Sequence, residues 1–178
     1  MKKAIAILVS LSLLLCVCAA GAETTGKTRL GKLNVNGTFD LNCAIPEGYE
    51  LNIIQSDTTQ IKALIASQDE TKPVMTLTVA YNELCSEIQR LNDVSSEDLA
   101  KIEETFKAED AVEISYRETS YGTKLLMVRA ADQYVDFYTI YLGYEIEFLL
   151  TPGTEGLSEA QIQMVVDFLS DLDFDAAA

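Results

Sequence analysis

The chain has 178 residues, 48% of them hydrophobic and 23% charged, with mean hydropathy +0.11, a composition of ordinary globular domains rather than disordered, collagen-like or polytopic membrane chains. Thirteen Lys and Arg stand against 28 Asp and Glu, and the formal charge of −15 repels phosphate backbones, excluding sequence-independent nucleic-acid binding. There is no histidine, which removes Ser-His-Asp and Cys-His nucleophiles, the imidazole base and most transition-metal sites.

Met1-Lys2-Lys3 is a basic start, residues 4–20 are a weakly polar to apolar run, and Ala20-Gly21-Ala22 supplies the small-x-small pattern of a cleavage site. That order predicts a bacterial-style signal peptide over residues 1–22 and a secreted or extracytoplasmic product. Two alternatives keep the chain at a membrane: an uncleaved N-terminal anchor, or a lipid on Cys18, for which Val17 is larger than the residue such processing wants. No later stretch is long enough to span a bilayer, so no stable membrane insertion is expected after cleavage. Loss of Lys2 and Lys3 takes the net charge from −15 to −17, and after Ala130 there are ten acidic residues and no Lys or Arg. Residues 23–32 hold one large apolar residue, Leu30, and no period, which predicts a flexible tether before a single domain at 33–178.

Three motif matches fail their context. Gly21-Ala22-Glu23-Thr24-Thr25-Gly26-Lys27-Thr28 fits the phosphate-cradling pattern of nucleotide hydrolases. That chemistry needs a strand before the loop and a helix after it, whereas here the leader precedes and a Gly- and Asn-rich stretch follows. Asp171-Leu172-Asp173-Phe174-Asp175 opens like a calcium loop, but Ala176 stands where Gly is required and the sequence given stops before the closing Glu. Asn36-Gly37-Thr38 is a glycosylation sequon, idle behind a bacterial-style leader. No metal site and no cofactor are expected. Cys43 and Cys85 either form a disulfide closing a loop of about 43 residues, worth about 4 kcal/mol in the chain-entropy model, or remain two buried thiols.

Along the domain, residues 39–41 and 50–55 predict short strands around the turn Ile45-Pro46-Glu47-Gly48-Tyr49. Residues 61–67 and 74–80 predict a hairpin, the second strand alternating and β-branched in Met75-Thr76-Leu77-Thr78-Val79. A helix is expected over 83–91 and another over 95–107, where Ser95 caps, Glu97 and Asp98 sit in the first turn, and Leu99, Ile102 and Phe106 share a face. Ser158-Glu159-Ala160-Gln161 is a capping box opening a final helix with Ile162, Val165, Val166 and Leu169 at helical spacing.

Between those helices lies a four-strand meander whose registers follow from parity. A two-residue turn at Asp132-Gln133 pairs Val128 with Phe137 and Arg129 with Asp136; another at Leu142-Gly143 pairs Phe137 with Phe148 and Tyr138 with Glu147. Val112, Ile114, Tyr116, Leu126, Val128, Ala130, Phe137, Ile146 and Phe148 then share one apolar face. The turn at Tyr121-Gly122 must hold an odd number of residues, for instance three with Gly122 at positive φ, or Glu113 and Arg117 would enter that face. The opposite face carries Leu125, Met127, Tyr138 and Ile140 beside Arg129, Asp136, Glu145 and Glu147, a mixture that predicts partial cover by a helix with the Glu145–Glu147 end exposed.

These elements define an α+β class: a mainly antiparallel sheet of about six to seven strands with helices packed on it as an α/β/α sandwich. Their order resembles the PsbP-like group and its bacterial envelope relatives, the DcrB-like proteins. The shared phrases are Phe39-Asp40-Leu41-Asn42-Cys43-Ala44-Ile45-Pro46-Glu47-Gly48-Tyr49, Gly143-Tyr144-Glu145-Ile146-Glu147-Phe148 and Leu172-Asp173-Phe174. The resemblance covers about residues 37–175 and implies an antiparallel sheet sandwiched by helices and mostly non-catalytic assembly or binding roles outside the cytoplasm. It carries over no functional residue.

With no catalytic constellation, the leading function is a secreted, non-catalytic binding or assembly module whose partner is an unknown protein or a basic ligand. The candidate surface is Glu145, Glu147 and Tyr138, acids for steering beside a ring for contact area. The alternative is a carboxylate-dependent hydrolase using Glu145 and Glu147, which lie about 7 Å apart as same-face strand neighbours, or a carrier of a small ligand or cation. A deep pocket would favour the alternatives; a flat or grooved patch favours the module.

Overall fold

The computed structural model describes residues 27–29, 33–108, 111–130 and 134–176. The leader, the phosphate-loop match up to Gly26 and Cys18 lie outside the described residues. Within the stretch expected to be a tether, β1 (Lys27–Arg29) pairs antiparallel with β4 (Ala44–Pro46). That part of the expectation is corrected: ladder hydrogen bonds join backbones and ask for no apolar side chain.

β2 (Leu33–Val35) and β3 (Phe39–Asn42) form a hairpin through Asn36 and Gly37, both at positive φ, and β12 (Asp173–Ala176) joins the other side of β3. The larger sheet has seven antiparallel strands. They are β5 (Tyr49–Ser56), β6 (Gln60–Ser67), β7 (Val74–Tyr81), β8 (Glu113–Glu118), β9 (Lys124–Ala130), β10 (Tyr134–Tyr141) and β11 (Tyr144–Thr151), in the spatial order β5-β6-β7-β11-β10-β9-β8. The predicted hairpin 61–67 with 74–80 is β6 with β7, Leu64 opposite Thr76.

Two α-helices pack on the sheet, α1 (Ser96–Ala108) and α2 (Glu159–Leu169). Ser95 caps α1, its Oγ accepting from the Asp98 N–H at 3.1 Å. The α2 capping box is present, with Gln161 N–H donating to Ser158 Oγ and Ser158 N–H to Gln161 Oε1. The helix expected over 83–91 is not formed; two 3₁₀ turns, Glu83–Cys85 and Leu91–Asp93, occupy that stretch. Its carbonyls are used otherwise: Gln89 O accepts from Leu142 N–H and Ile88 O from Gly143 N–H, so the segment straps the β10–β11 turn.

The meander registers divide at β9. Phe137 opposes Phe148 and Tyr138 opposes Glu147 as parity predicts, with Leu142 and Gly143 both at positive φ in the two-residue turn. The β8–β9 turn has the expected odd loop, three residues between the hydrogen-bonded Thr119 and Thr123, with Gly122 at φ +77°. Between β9 and β10, however, Ala130 opposes Tyr134 and Val128 opposes Asp136, one residue off the Asp132-Gln133 expectation. That slip turns Leu126 and Val128 to the Tyr138 face and places Leu125 and Met127 beside Phe137. β8 follows, so Ile114 and Tyr116 also lie on the Tyr138 side. Arg129, expected opposite Asp136, instead faces α2 and pairs with Glu159.

The main core lies between one sheet face, α2 and the β12-β3-β2 sheet, and is centred on Phe39, Phe137, Phe148 and Phe168, all fully buried. A second, smaller core lies on the opposite face, where Leu126, Val128, Tyr138 and Ile140 meet Leu91, Leu99, Ile102 and Phe106. The architecture is therefore the predicted α+β sandwich, with α1 covering only the β8–β10 half of its face.

Candidate functional site

Glu145 and Glu147 project from alternate positions of β11 onto that second face, where the helical cover ends. Glu145 stands between Ile140 of β10 and Ala80 of β7, and Glu147 between Tyr138 and Thr78. Beyond them the face continues over β7 and β6 as Thr76, Thr78, Ala80, Lys62, Leu64 and Ala66, all half-buried with no element laid across them among the described residues. Both acids are half-buried rather than exposed, since neighbouring strands flank them on each side.

Tyr138 is not the exposed ring expected. It is 4% exposed, covered by Phe106 of α1 in an edge-on contact with ring centroids 5.5 Å apart. Buried aromatic hydroxyls seek a partner, and Tyr138 Oη donates to Glu145 Oε1 at 2.9 Å. Burial first, and then the Glu145 carboxylate, hold the Tyr138 phenol protonated far above the ordinary range. Tyr138 therefore orients Glu145 at the border of the covered and open halves, and leaves Glu147 as the acid whose flanks are Tyr138 and the small Thr78.

Cys85 lies under the same border. Its thiol is pushed up by burial and by Glu145, and it belongs to the second core. Cys43 belongs to the main core on the other side of the sheet. The two are free thiols, so the disulfide alternative is corrected: the sheet lies between their clusters.

The site is an open shelf with Thr and Ala as floor, two carboxylates at one border and Lys62 one strand beyond Thr78. Among the described residues no three Asp, Glu or Cys side chains converge as metal ligands would. A cavity of about 60 Å³ lies between α2 and the β8–β9 hairpin, lined by Leu125, Phe137, Val166 and Leu169, and an open depression of about 430 Å³ lies by Asp69, Lys72 and Gly153; neither is lined by Tyr138, Glu145 or Glu147. The sequence did carry a signal for the shelf that the acid count obscured. In Met75-Thr76-Leu77-Thr78-Val79-Ala80 the large residues are buried and the small ones half-buried, the pattern of a strand with one face left without a covering layer.

No family model and no curated protein sequence matches the chain. Among solved structures it is similar to the solution structure of cyanobacterial PsbP (CyanoP) from Synechocystis sp. PCC 6803, with a TM-score of 0.52 at 11% identity, over 89% of this chain and 96% of that one. No helix among the described residues is long and apolar enough to cross a membrane. The strand order, the helix on each face and this similarity together give the chain a PsbP-like α+β fold.

Proposed function

We propose that this protein is an exported, non-catalytic binding or assembly module that holds a basic protein partner on the open shelf of β11, β7 and β6. The observation that carries this reading is the half-covered sheet face: α1 stops at Tyr138, and the floor beyond it is shallow, small-residued and bordered by Glu145 and Glu147. A shelf of this shape accepts a partner surface more readily than it encloses a small substrate. The excess of 28 acidic over 13 basic residues adds long-range steering for a cationic partner. Glu147, beside the small Thr78 of the floor, is the contact acid, and Glu145, which accepts from the Tyr138 hydroxyl, is the positioned one. The PsbP-like fold is compatible with such a role.

The test is a Glu145→Gln, Glu147→Gln double variant compared with wild type for partner recovery from culture supernatant at rising salt. Weaker recovery by the variant, together with wild-type binding that declines as salt screens the steering field, is the expected result. Equal recovery by both proteins at every salt concentration removes this face from consideration.

A further inference from the structure

The two edges of the seven-stranded sheet differ in how they are protected. β8 carries three charged residues in six, Glu113, Arg117 and Glu118, and its Tyr116 is engaged by Glu103 and lies under Lys124. β5 is longer, with eight residues, one acid, no Lys or Arg and no Pro. Among the described residues β5 pairs only with β6, so its outer row of N–H and C=O groups has no strand against it. Ile53 and Ile54 stand 53% and 55% exposed on this strand, the only adjacent pair among the exposed large hydrophobics of the described residues that both lie within one strand. A long edge with apolar side chains and little charge is a template for another strand. Among the described residues its protection is the single acid Glu50 and the bulge between Ile53 and Gln55.

We infer that the outer edge of β5 pairs antiparallel with the same edge of a second copy of this chain. The stretch in unbroken register with β6 is residues 49–53, and its midpoint is Leu51. A two-fold axis at Leu51 sets Leu51 against Leu51 and Tyr49 against Ile53 on one face. That face is continuous with the main core, against which Tyr49 and Leu51 already pack. On the other face the axis sets Glu50 against Asn52, so the strand's single acid meets an amide that can donate to it and never meets its own symmetry mate. The strand is thus self-complementary in apolar pattern and in charge, as an isologous interface requires. The bulge ends the pairing at Ile53, which keeps the interface short and the dimer weak. Each copy carries a net charge of −15, so repulsion between whole molecules opposes the contact and salt strengthens it. This sign is opposite to that of the acidic shelf, and the inference does not rest on Glu145 or Glu147.

Sedimentation equilibrium of the purified full chain tests it, with Asn52→Lys and Asn52→Glu beside wild type. Asn52 is exposed, so neither substitution disturbs the core. Wild type should populate a dimer at about 100 μM protein, and the dimer fraction should rise as salt goes from about 50 to about 500 mM. Asn52→Lys places a cation opposite Glu50 twice per dimer and should tighten association about five- to tenfold; Asn52→Glu should loosen it by a similar factor. Both variants should melt within a few degrees of wild type. A chain that stays monomeric at every salt concentration, or a dimer whose constant neither Asn52 substitution moves, overturns the inference.

Discussion

Burial of Cys43 beside β3 and β4, at 3% exposure, pushes its thiol from 9.0 up to about 12, because the thiolate would lose its solvation there. The unfolded chain ionises Cys43 near pH 9 and the folded chain does not, so above that pH the unfolded state binds fewer protons. The stability present below about pH 9 is therefore lost as pH rises toward 12. Chemical denaturation of wild type and Cys43→Ala between pH 9 and 11 should show a steeper decline for wild type, by up to about 1.4 kcal/mol per pH unit. Parallel slopes would mean that Cys43 is solvated in the native state. Phe148 tests packing where charge plays no part. It is fully buried, edge-on to Phe168 of α2, with ring centroids 6.3 Å apart. Phe148→Ala should cost about 3–5 kcal/mol in urea denaturation, the range for aromatic truncation in a packed core; a loss below about 1 kcal/mol would place the ring outside the core.

At the scale of elements, turns decided what strand composition left open. β9 is apolar on both faces, Leu125 and Met127 on one and Leu126 and Val128 on the other, so a slip of one residue exposes nothing and burial alone does not select the register. β11 alternates Ile146, Phe148 and Leu150 with Glu145, Glu147 and Leu149, and there burial selected the register seen in the sequence. The β10–β11 turn is held from outside as well as by its own geometry. Gly143 lies at φ +79°, and a Cβ there would stand 3.1 Å from Ser86 Cα and 3.2 Å from Tyr81 Cε2. Gly143→Ala should therefore destabilise the protein by about 1–3 kcal/mol, through a strained φ and displacement of the strap over residues 82–89. A thermal melt unchanged within a degree would show that the turn tolerates both.

For the whole molecule, the main core is built by side chains of α2, the seven-stranded sheet and the β12-β3-β2 sheet, and none of its described residues precedes Leu33. β1 adds a three-pair ladder to β4. A shortened chain starting at Leu33 should keep its cooperative melt and lose only a few degrees, because a three-residue ladder to a single strand contributes little. A fall of many degrees would assign residues before Leu33 a structural role. The acidic excess bears on both proposals at this scale: salt should weaken the proposed partner binding on the shelf and strengthen the proposed pairing at the β5 edge.

Residue order alone specifies the α+β class, both α-helices with their Ser95 and Ser158 caps, the β6–β7 hairpin and the β10–β11 register. Each of these rests on local chemistry or on a strand with one apolar face. It also singled out Glu145 and Glu147 with Tyr138 as neighbours, because cross-strand pairing places them by counting from the turn. Packing is what buries Tyr138 under Phe106 with its hydroxyl on Glu145, makes residues 83–91 strap a turn instead of forming a helix, and sets the cysteines on opposite sides of the sheet. Those outcomes depend on which sheet face α1 covers and how far it reaches. Neither is encoded in a periodicity, since β9 is apolar on both faces and which of them meets α1 is settled only once the chain is packed.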